Sequence, residues 1–501
     1  MRFPVRNTIL LFICAFALAS AEDSFTIGAQ VSPSLHGEPV QRTFAVDTVD
    51  RYGSNWRGLQ IPLETAREYE TIDPFFLVFL DGRYKNFEVK FNLPLRKDLE
   101  AWYEDDLHSN TTVDPGHLDI NVPTEGYAQW TYGAGYVKFG RFKPDMGPSP
   151  NTLALGGAPY HDAVLWEFNP SIFRYDFFIS SLNAHLHGTS STAGGDVTDT
   201  TTEVWKQAHE QVENSRNRTY TEAYKTLVYH RIGADVRYGW LYFIEQSVIG
   251  GKQPEFRTVN PFMFLHDNYA SGYTKANFTI ELGLRPVKRG AFYWQMSIDD
   301  IKSPVGETGK NSTRGILSYL AGYTQTIPTE KYGTFDVRLD AVYTDPAYGN
   351  ERIPLLKYTS RRMYRSNYRD QDDPDYADMF YVDYPLGYRR GPDAVDLWLD
   401  LGWKKGKHSA ALELAWLRQG DKELYTDYDS AIAARHALSG VVEKQYVADV
   451  TYKLQALESL GFEFGLGGRI YRNLGHDTDE DGVDGWVRLG AKWNFEYTWR
   501  K

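Results

Sequence analysis

Residues 487–499, VRLGAKWNFEYTW, decide the fold class of this chain. Every second residue from Val487 to Trp499 is apolar, and the residues between them are polar or small. Successive side chains of a β-strand point to opposite faces, so a strict alternation of this kind is typical of a strand. The stretch therefore predicts a long strand with one apolar face and one polar face.

The same alternation recurs along the chain. It is found at residues 87–93, 292–298, 335–343, 395–403 and 446–454. Many of the predicted strands end in an aromatic residue, and their length is close to the 9–11 residues that cross a membrane. Strands of soluble proteins average only about five or six residues. The pattern therefore predicts an all-β fold, a transmembrane antiparallel β-barrel of about 18 strands in which loops or short helices can form a plug.

Composition excludes several other classes. The chain has 501 residues, a formal net charge of −12 and a mean hydropathy of −0.48, and no run of 18 apolar residues follows residue 21. A helical membrane protein needs such runs, and a nucleic-acid-binding protein needs a basic face. Disordered chains contain too few apolar residues to form a core, whereas 42% of the residues here are apolar, so a disordered chain is excluded as well. A barrel explains the low mean hydropathy, because half of each strand faces a polar lumen.

Residues 1–21 are expected to be a secretory signal peptide. The three parts of such a peptide occur in order: Arg2 and Arg6, then Ile9–Leu18, then Ala19-Ser20-Ala21. Cleavage would remove the only cysteine, Cys14, and change the formal net charge from −12 to −14. We therefore expect residues 22–501 to form the barrel in a bacterial outer membrane, in contact with its lipid and inserted by the barrel-assembly machinery.

Long polar segments interrupt the predicted strands at about 186–222, 344–378, 420–442 and 472–485. Outer-membrane barrels have long loops on the outside and tight turns on the other side, so we expect these four segments to be outer loops. Segments 32–73 and 94–125 lack the alternation and are expected to be loops or helices. Residues 431–435 are expected to form a short helix.

A charged turn is predicted directly after the strand at 134–139. It contains Arg141, Lys143 and Asp145 beside two prolines and two glycines. A rigid turn of this kind could present its two cations to an anionic ligand in the lumen. It could equally form part of the barrel rim, with its charges paired locally.

A second group of candidate ligand or lumen residues comprises Glu245, Arg257, Asn260, His266, Asp299 and Asp300. His266 has no second His or Cys at the spacing of a metal site, so no zinc site is predicted. Asp299 and Asp300 are adjacent in a predicted strand and point to opposite faces. At most one of them faces the lumen, which argues against the paired carboxylates of a glycosidase. We identify no catalytic residues and expect no enzymatic activity.

Residues 477–484 resemble the start of a calcium-binding loop. Asp477, Asp479 and Asp481 occupy positions 1, 3 and 5, and a glycine follows at position 6. Position 12 is Arg488, where a calcium loop has a glutamate. A solvated hairpin turn ending in Asp-Gly explains the same residues. Calcium is the only cofactor for which the sequence offers a candidate.

A series of short motifs resembles the outer-membrane capsule-assembly (Wzi-like) family. The motifs are Gly140-Arg141, Pro144-Asp145, Gly147-Pro148, Ala158–Asp162, Gly250-Gly251, Asn260–His266 and Ile298–Asp300. Their order and spacing are also similar, and the likeness covers residues 130–300. The resemblance implies a plugged outer-membrane barrel that holds capsular polysaccharide as a surface lectin. A looser similarity to phosphate-type porins rests on residues 139–144.

Two functions therefore compete. The first is a barrel that binds or organises surface polysaccharide, with aromatic outer loops stacking on sugar rings. The Arg and Asp residues of 351–378 would then bond to hydroxyl groups or uronates. The second is a porin that passes small solutes, with Arg141 and Lys143 favouring anions. No nucleic-acid partner is expected.

Overall fold

The computed structural model describes residues 23–36, 63–103, 105, 108–112, 114–119, 123–182, 224–251, 254–264, 274–300, 314–351, 356–369, 377–424 and 426–500. The signal peptide expected at 1–21, the loop expected at 186–222 and His266 lie outside these residues. The statements below concern the described residues.

The stretches in which apolar and polar residues alternate form β-strands throughout the chain. The strands are β1 (Ser24–Val31), β2 (Ser34–His36), β3 (Phe76–Tyr84), β4 (Phe87–Leu95), β5 (Glu125–Tyr132), β6 (Gly135–Phe142), β7 (His161–Phe168), β8 (Phe173–Leu182), β9 (Lys225–Val236), β10 (Gly239–Gly250), β11 (Thr274–Val287), β12 (Gly290–Asp300), β13 (Ile316–Thr329), β14 (Gly333–Tyr343), β15 (Thr359–Arg369), β16 (Ala377–Pro385), β17 (Val395–Lys405), β18 (His408–Gln419), β19 (Glu443–Gln455), β20 (Leu460–Arg472) and β21 (Asp481–Arg500).

Helices are few and short. They are α1 (Leu63–Thr71), α2 (Leu99–Tyr103) and α3 (Tyr428–Ala433), with single 3-10 turns at Pro115–His117 and Leu474–His476. α1 and α2 fall in the two segments where loops or helices are expected, and α3 overlaps the short helix expected near residue 431. No helix in the described parts of the chain is long and apolar enough to cross a membrane.

Eighteen of the strands form one closed antiparallel ring. Neighbours in the ring are also neighbours along the chain from β3 to β14 and from β17 to β21, and β14 pairs with β17. The ring closes at β1, which pairs with β3 on one side and with β21 on the other. β2 continues along β21, whereas β15 and β16 form a separate hairpin. The predicted number of about 18 strands is therefore confirmed.

The two faces of the ring are the reverse of those in a soluble protein. On the outer face large apolar side chains stay exposed, as in β21, where Leu489 is 47% and Trp493 is 51% exposed. On the inner face polar side chains are fully buried: Gln246, Asn277, Gln295, Ser318 and Asp340 are each 0% exposed. An apolar outside and a polar inside are the features of a transmembrane barrel. The interpretation drawn from residues 487–499 is thus confirmed.

Part of the chain occupies the interior of the ring. We call residues 146–158, between β6 and β7, the inner segment. It runs along the inner faces of β10, β12 and β14, where buried amide and carboxyl groups hold it. Its anchoring hydrogen bonds run from Asn151 Nδ2 to Asp340 Oδ2 (2.8 Å), from the Leu153 N–H to Gln295 Oε1 (2.8 Å) and from Gln246 Nε2 to the Ala154 carbonyl (2.7 Å).

Two further layers cover the inner segment. We call the hairpin of β15 and β16 the inner hairpin. Just beyond it, the Leu386 carbonyl accepts hydrogen bonds from the N–H groups of Gly156 and Gly157, at 3.0 and 3.3 Å. Val382 and Tyr384 of β16 then pack with α1 and α2 in one buried cluster. The filling of the lumen thus consists of the inner segment, the inner hairpin and the two helices, stacked inward from the wall of β10–β14.

The inner hairpin is a strand pair that the sequence does not predict. Residues 344–378 are expected to form a loop, yet β15 lies within them at 359–369. Its sequence, TSRRMYRSNYR, has no alternation of apolar and polar residues. Alternation arises where one face of a strand meets lipid and the other the lumen. A strand inside the lumen has no lipid-facing side and therefore lacks the signal.

Introducing an arginine on the outer face or on the inner face of the wall tests which face meets lipid. Leu339 of β14 is on the outer face and 41% exposed, whereas Thr324 of β13 is paired with Arg338 on the inner face. We expect Leu339→Arg to lower the free energy of unfolding by about 2–4 kcal/mol, because arginine is costly at mid-membrane depth. Thr324→Arg is expected to cost less than about 1 kcal/mol. Urea unfolding in lipid vesicles, followed by tryptophan fluorescence, measures both, and equal losses would contradict the assignment.

Candidate binding cavity

A cavity of about 640 Å³ lies between α1 and the inner faces of β14 and β17–β21. Six arginines line it: Arg67, Arg338, Arg389, Arg390, Arg469 and Arg488. Carboxylates also line it, at Glu68, Asp336, Asp400, Glu413 and Asp449, together with the aromatic rings of Trp398, Tyr471 and Trp486. Aromatic surface with a few charged groups is the usual lining of a site for a small polar ligand.

Two of these arginines are held by carboxylates of other wall strands, Arg338 by one on the adjacent β17 and Arg488 by one on β19, beyond β20. Arg338 is paired in register with Asp400 and donates to its Oδ2 through Nε and Nη2, at 2.9 and 2.7 Å. Arg488 donates to Asp449 at 2.5 Å and to Thr451 at 3.0 Å. Hydrogen bonds between charged partners are short and strong. Both guanidinium groups are therefore fixed to the wall, with their charge balanced locally.

Arg389 is held in a different way. Its guanidinium carbon lies 3.7 Å from the ring centroid of Trp398, a cation–π contact. Its Nε is buried without a hydrogen-bond partner, and the described residues offer it no ion pair. The ring beneath is fixed, because Trp398 Nε1 donates to the Tyr388 hydroxyl at 3.0 Å and that hydroxyl donates to Asp396 at 2.5 Å. Arg389 is thus a positioned cation with an unused donor, and its positive charge also acts on the carboxyl groups of Glu413 and Asp396.

Trp486 also lines the cavity, above a glycine. A Cβ atom at Gly467, which is paired with Trp486 across β20 and β21, would lie 2.2 Å from the indole ring. Any larger residue would therefore push the ring into the cavity. Trp486 Nε1 donates to Asp449 at 2.6 Å, and the guanidinium carbon of Arg469 lies 5.8 Å from the ring centroid. These contacts fix the orientation of the aromatic surface.

Two carboxylates face the cavity without a partner among the described residues. Glu68 of α1 and Glu413 of β18 line it but make no ion pair or side-chain hydrogen bond there. Burial raises the pKa of the Glu68 carboxyl, and the positive charges of Arg469 and Arg488 oppose this effect without cancelling it. Glu68 therefore takes up a proton at a higher pH than an exposed glutamate does.

A buried ionic network fastens the filling of the lumen. Arg362 of β15 is paired with Glu70 of α1 and, at 3.4 Å, with Asp119. Arg96 reaches the same Glu70 at 3.5 Å, and the Tyr69 hydroxyl donates to Asp119 at 3.1 Å. The network joins the inner hairpin to α1 and to the connection between β4 and β5. Removing one member would leave the others as uncompensated buried charges.

Arg141, a candidate from the sequence, does not face the lumen. It lies on the outer side of β6, on the same face as Phe139, which is 67% exposed. Its Nε and Nη2 both donate to Asp162 on β7 at 2.7 Å. The guanidinium group also lies 4.4 Å from the centroid of Tyr160. The alternative of a rim turn with locally paired charges therefore describes Arg141, and its assignment as a lumen residue is corrected.

Lys143, two residues later, is oriented differently. Loss of hydration beside the protein lowers the pKa of the Lys143 ammonium group. The positive charges of Arg67 and Arg389 lower this pKa further, and the negative charge of Asp145 opposes the effect. Lys143 itself is exposed and is not part of the cavity lining. Asp145 is exposed.

Glu245 lies on the outer face of the barrel and not in the cavity. It is paired in register with His230 of β9 and is only 4% exposed. Residues 254–264 cover this part of the wall, and the ring centroid of Phe264 lies 4.7 Å from that of His230. Glu245 is thus part of a buried cluster on the outer wall. Its assignment as a lumen residue is therefore corrected.

Arg257 and Asn260 make local contacts within that covering segment. Arg257 Nε is paired with Glu255 at 2.6 Å. The side-chain carbonyl of Asn260 accepts a hydrogen bond from the Phe262 N–H at 3.0 Å. Both side chains shape the segment itself, and the structure does not bring either to the cavity.

Asp299 faces the interior, where it anchors another internal stretch. It is paired with Lys275 at 3.2 Å and accepts a hydrogen bond from the Gly349 N–H at 2.8 Å. It therefore ties the connection after β14 to the wall. Asp300 follows at the end of β12, opposite Ile316 across a register shift.

The candidate calcium loop lies in the connection between β20 and β21, which contains the 3-10 turn Leu474–His476. Asp477 Oδ1 accepts a hydrogen bond from the Asp479 N–H at 3.1 Å, and Asp481 is paired with Arg472 across the hairpin. In the described parts of the chain no three His, Cys, Asp or Glu side chains are placed to hold a metal ion. The geometry therefore matches the hairpin alternative.

No protein-family model matches the chain, and no curated protein matches it. Solved structures do. One is Wzi of Escherichia coli, described as an outer-membrane protein involved in group 1 capsule assembly and as a carbohydrate-binding β-barrel. That alignment covers 99% of this chain and 89% of the other, with 12% identity and a TM-score of 0.48.

Two further structural neighbours are porins of the Occ group. OccAB4 of Acinetobacter baumannii aligns over 95% of this chain and 98% of its own, with 9% identity and a TM-score of 0.41. OccD3 (OpdP) of Pseudomonas aeruginosa aligns over 95% and 91%, with 8% identity and a TM-score of 0.42. Both resemblances named from the sequence motifs, to a capsule-assembly barrel and to porins, are thus found among the neighbours.

Sequence reasoning missed the lining of the cavity. Its residues come from separate strands between β13 and β21 and from α1, and in each strand they are ordinary polar members of the alternation. One usable signal is the pair of inward glycines, Gly465 and Gly467. In the paired strand they face Arg488 and Trp486, the two large side chains for which they leave room.

The ionic network predicts the stability of the inner hairpin. We expect Arg362→Met to speed amide hydrogen exchange in residues 359–385 at least about a hundred-fold, because breaking a buried ion pair costs about 3–5 kcal/mol. Exchange in β17–β21 is expected to stay unchanged. Arg237→Met, in the exposed turn between β9 and β10, is the matched control. Unaltered exchange in 359–385 would show that the network does not hold the hairpin.

Proposed function

We propose that this protein is an outer-membrane barrel that binds or organises a surface polysaccharide and has no catalytic role. The observation that carries the proposal is the filled interior, in which the inner segment, the inner hairpin and α1 are fixed by direct hydrogen bonds and buried ion pairs. Rapid passage of solutes requires an open path with only weak binding along it. Cleavage after Ala21 and insertion by the barrel-assembly machinery belong to the same proposal.

The connections between strands support a role at the cell surface. At one end of the barrel the turns are short, as at residues 85–86, 133–134 and 237–238, and at the other end the connections after β4, β6 and β14 are long. In outer-membrane barrels the long connections are extracellular. The inner segment and the inner hairpin then enter the lumen from the outer end, where a surface polymer would meet them.

The alternative is a porin for small anions. The observation in its favour is the set of six arginines that line the cavity beside five carboxylates, which leaves a small excess of positive charge that would favour anions there. In this alternative the filling narrows the lumen on the side of β10–β14 and leaves a path along β14 and β17–β21. The two functions differ in whether the cavity holds its ligand or passes it on.

Planar-bilayer recording separates the two functions. We expect the refolded full-length barrel to give no steady unitary currents of porin size, because the filling is anchored to the wall. A variant in which a short Gly-Ser linker replaces residues 359–385 controls for insertion and is expected to conduct, since the inner hairpin is then absent. Large steady currents from the unaltered chain would instead establish the porin alternative.

Loss of the gene tests the role in surface polysaccharide. We expect a deletion strain to release most of its surface polysaccharide into the medium while its total synthesis stays the same, because the attachment and not the assembly of the polymer is lost. Assay of polysaccharide in washed cells and in the supernatant measures the distribution. The gene supplied in trans should restore attachment. A deletion strain that retains its polysaccharide would refute the proposed function.

A further inference from the structure

One guanidinium group of the cavity, that of Arg389, has a buried donor without an acceptor, and this points to a ligand that supplies one. Arg338 and Arg488 are already paired with Asp400 and Asp449, at 2.7 and 2.5 Å. Arg389 is not, since its guanidinium group rests on Trp398 and its buried Nε has no partner among the described residues. A buried donor left without an acceptor is costly, so such a group is usually satisfied by a ligand or by water.

The same cavity offers an aromatic surface and free acceptors. Trp486 lines it above Gly467, and its ring is held by the hydrogen bond to Asp449. The C–H groups on one face of a sugar ring carry slight positive charge and pack against the negative face of an aromatic ring. Glu68 and Glu413 line the cavity as acceptors to which sugar hydroxyl groups can donate.

The size of the cavity limits the ligand to a short one. Its volume of about 640 Å³ lies within the range of pockets that enclose small molecules, roughly 300–1,000 Å³. A polymer could place only one or two of its units there. Since the filling occupies the lumen beside the cavity, the rest of the polymer would lie outside it.

We propose that this cavity is a binding site for an acidic sugar unit, a hexuronate, whose carboxylate is bound by Arg389 and whose ring stacks on Trp486. The inference rests on the proposed function and adds to it the chemical class of the ligand and the residues that select it. Arg389 supplies the selection for charge, Trp486 the stacking surface, and Glu68 and Glu413 the acceptors for hydroxyl groups.

The test is calorimetric titration of the full-length barrel in detergent with digalacturonate, and with galactobiose as the uncharged sugar of the same length. We expect digalacturonate to bind at least about ten-fold more tightly, since a hydrogen-bonded charge pair contributes about 1.5–3 kcal/mol. Raising the salt concentration should weaken the binding of digalacturonate and leave that of galactobiose unchanged. Equal affinities for the two sugars would overturn the proposal.

Substitutions at Arg389 identify the residue responsible. Arg389→Gln is expected to weaken digalacturonate binding at least about ten-fold while folding, followed by heat-dependent gel mobility, is retained. Arg389→Lys keeps the charge and should bind more tightly than Arg389→Gln does. Arg237→Gln, in an exposed turn outside the cavity, is the control and should bind like the unaltered protein. Unchanged affinity in a folded Arg389→Gln variant would overturn the assignment.

The outcome separates this inference from the proposed function. If the deletion strain sheds its polysaccharide but digalacturonate does not bind the barrel, the cavity assignment fails and the surface role stands. If digalacturonate binds through Arg389 but the deletion strain keeps its polysaccharide, the surface role fails and the cavity is an acidic-sugar site with another purpose.

Discussion

Closure of the sheet at residues 24–31 is the constraint on which the rest of the structure depends. β1 pairs with β3 along one edge and with β21 along the other, from Ser24 opposite Arg500 to Val31 opposite Trp493. In lipid an unpaired strand edge would leave backbone N–H and C=O groups without partners, and each would be costly. Closing the ring removes both edges at once. It also divides every strand into a face that meets lipid and a face that meets the lumen.

That division explains why the interior is held together by polar contacts. The inner faces carry buried amide and carboxyl groups, and such groups must find partners. Here the partners come from the chain itself: Gln295 and Gln246 receive the inner segment, and Asp299 receives the connection after β14. The position of the filling is therefore determined by the polar residues on the inner faces of the wall strands. Its position is fixed by hydrogen-bond geometry, which tolerates less displacement than apolar contacts do.

The sequence predicts the wall better than what lies inside it. β17 and β21 are readable because lipid on one face and lumen on the other impose a period of two. Arg141 shows where this reasoning fails: at the end of a strand, only the register with Asp162 reveals that the side chain points outward. The inner hairpin and the cavity give no such signal, because they depend on contacts between residues far apart in the chain, such as Arg362 and Asp119. Sequence spacing contains no information on those contacts.

The arrangement of charges within the cavity connects the fold to its ligand. Arg338 and Arg488 project from strands and have carboxylates on other strands of the wall, Asp400 on the adjacent β17 and Asp449 on β19. Arg389 instead comes from the connection that follows the inner hairpin, and the wall offers it the indole of Trp398 in place of a carboxylate. A cation held in this way keeps its position and its free charge together, since stacking fixes the guanidinium plane without neutralising it. The proposed selectivity of the cavity for an anion therefore depends on the inner hairpin, after which Arg389 follows, as much as on the barrel wall.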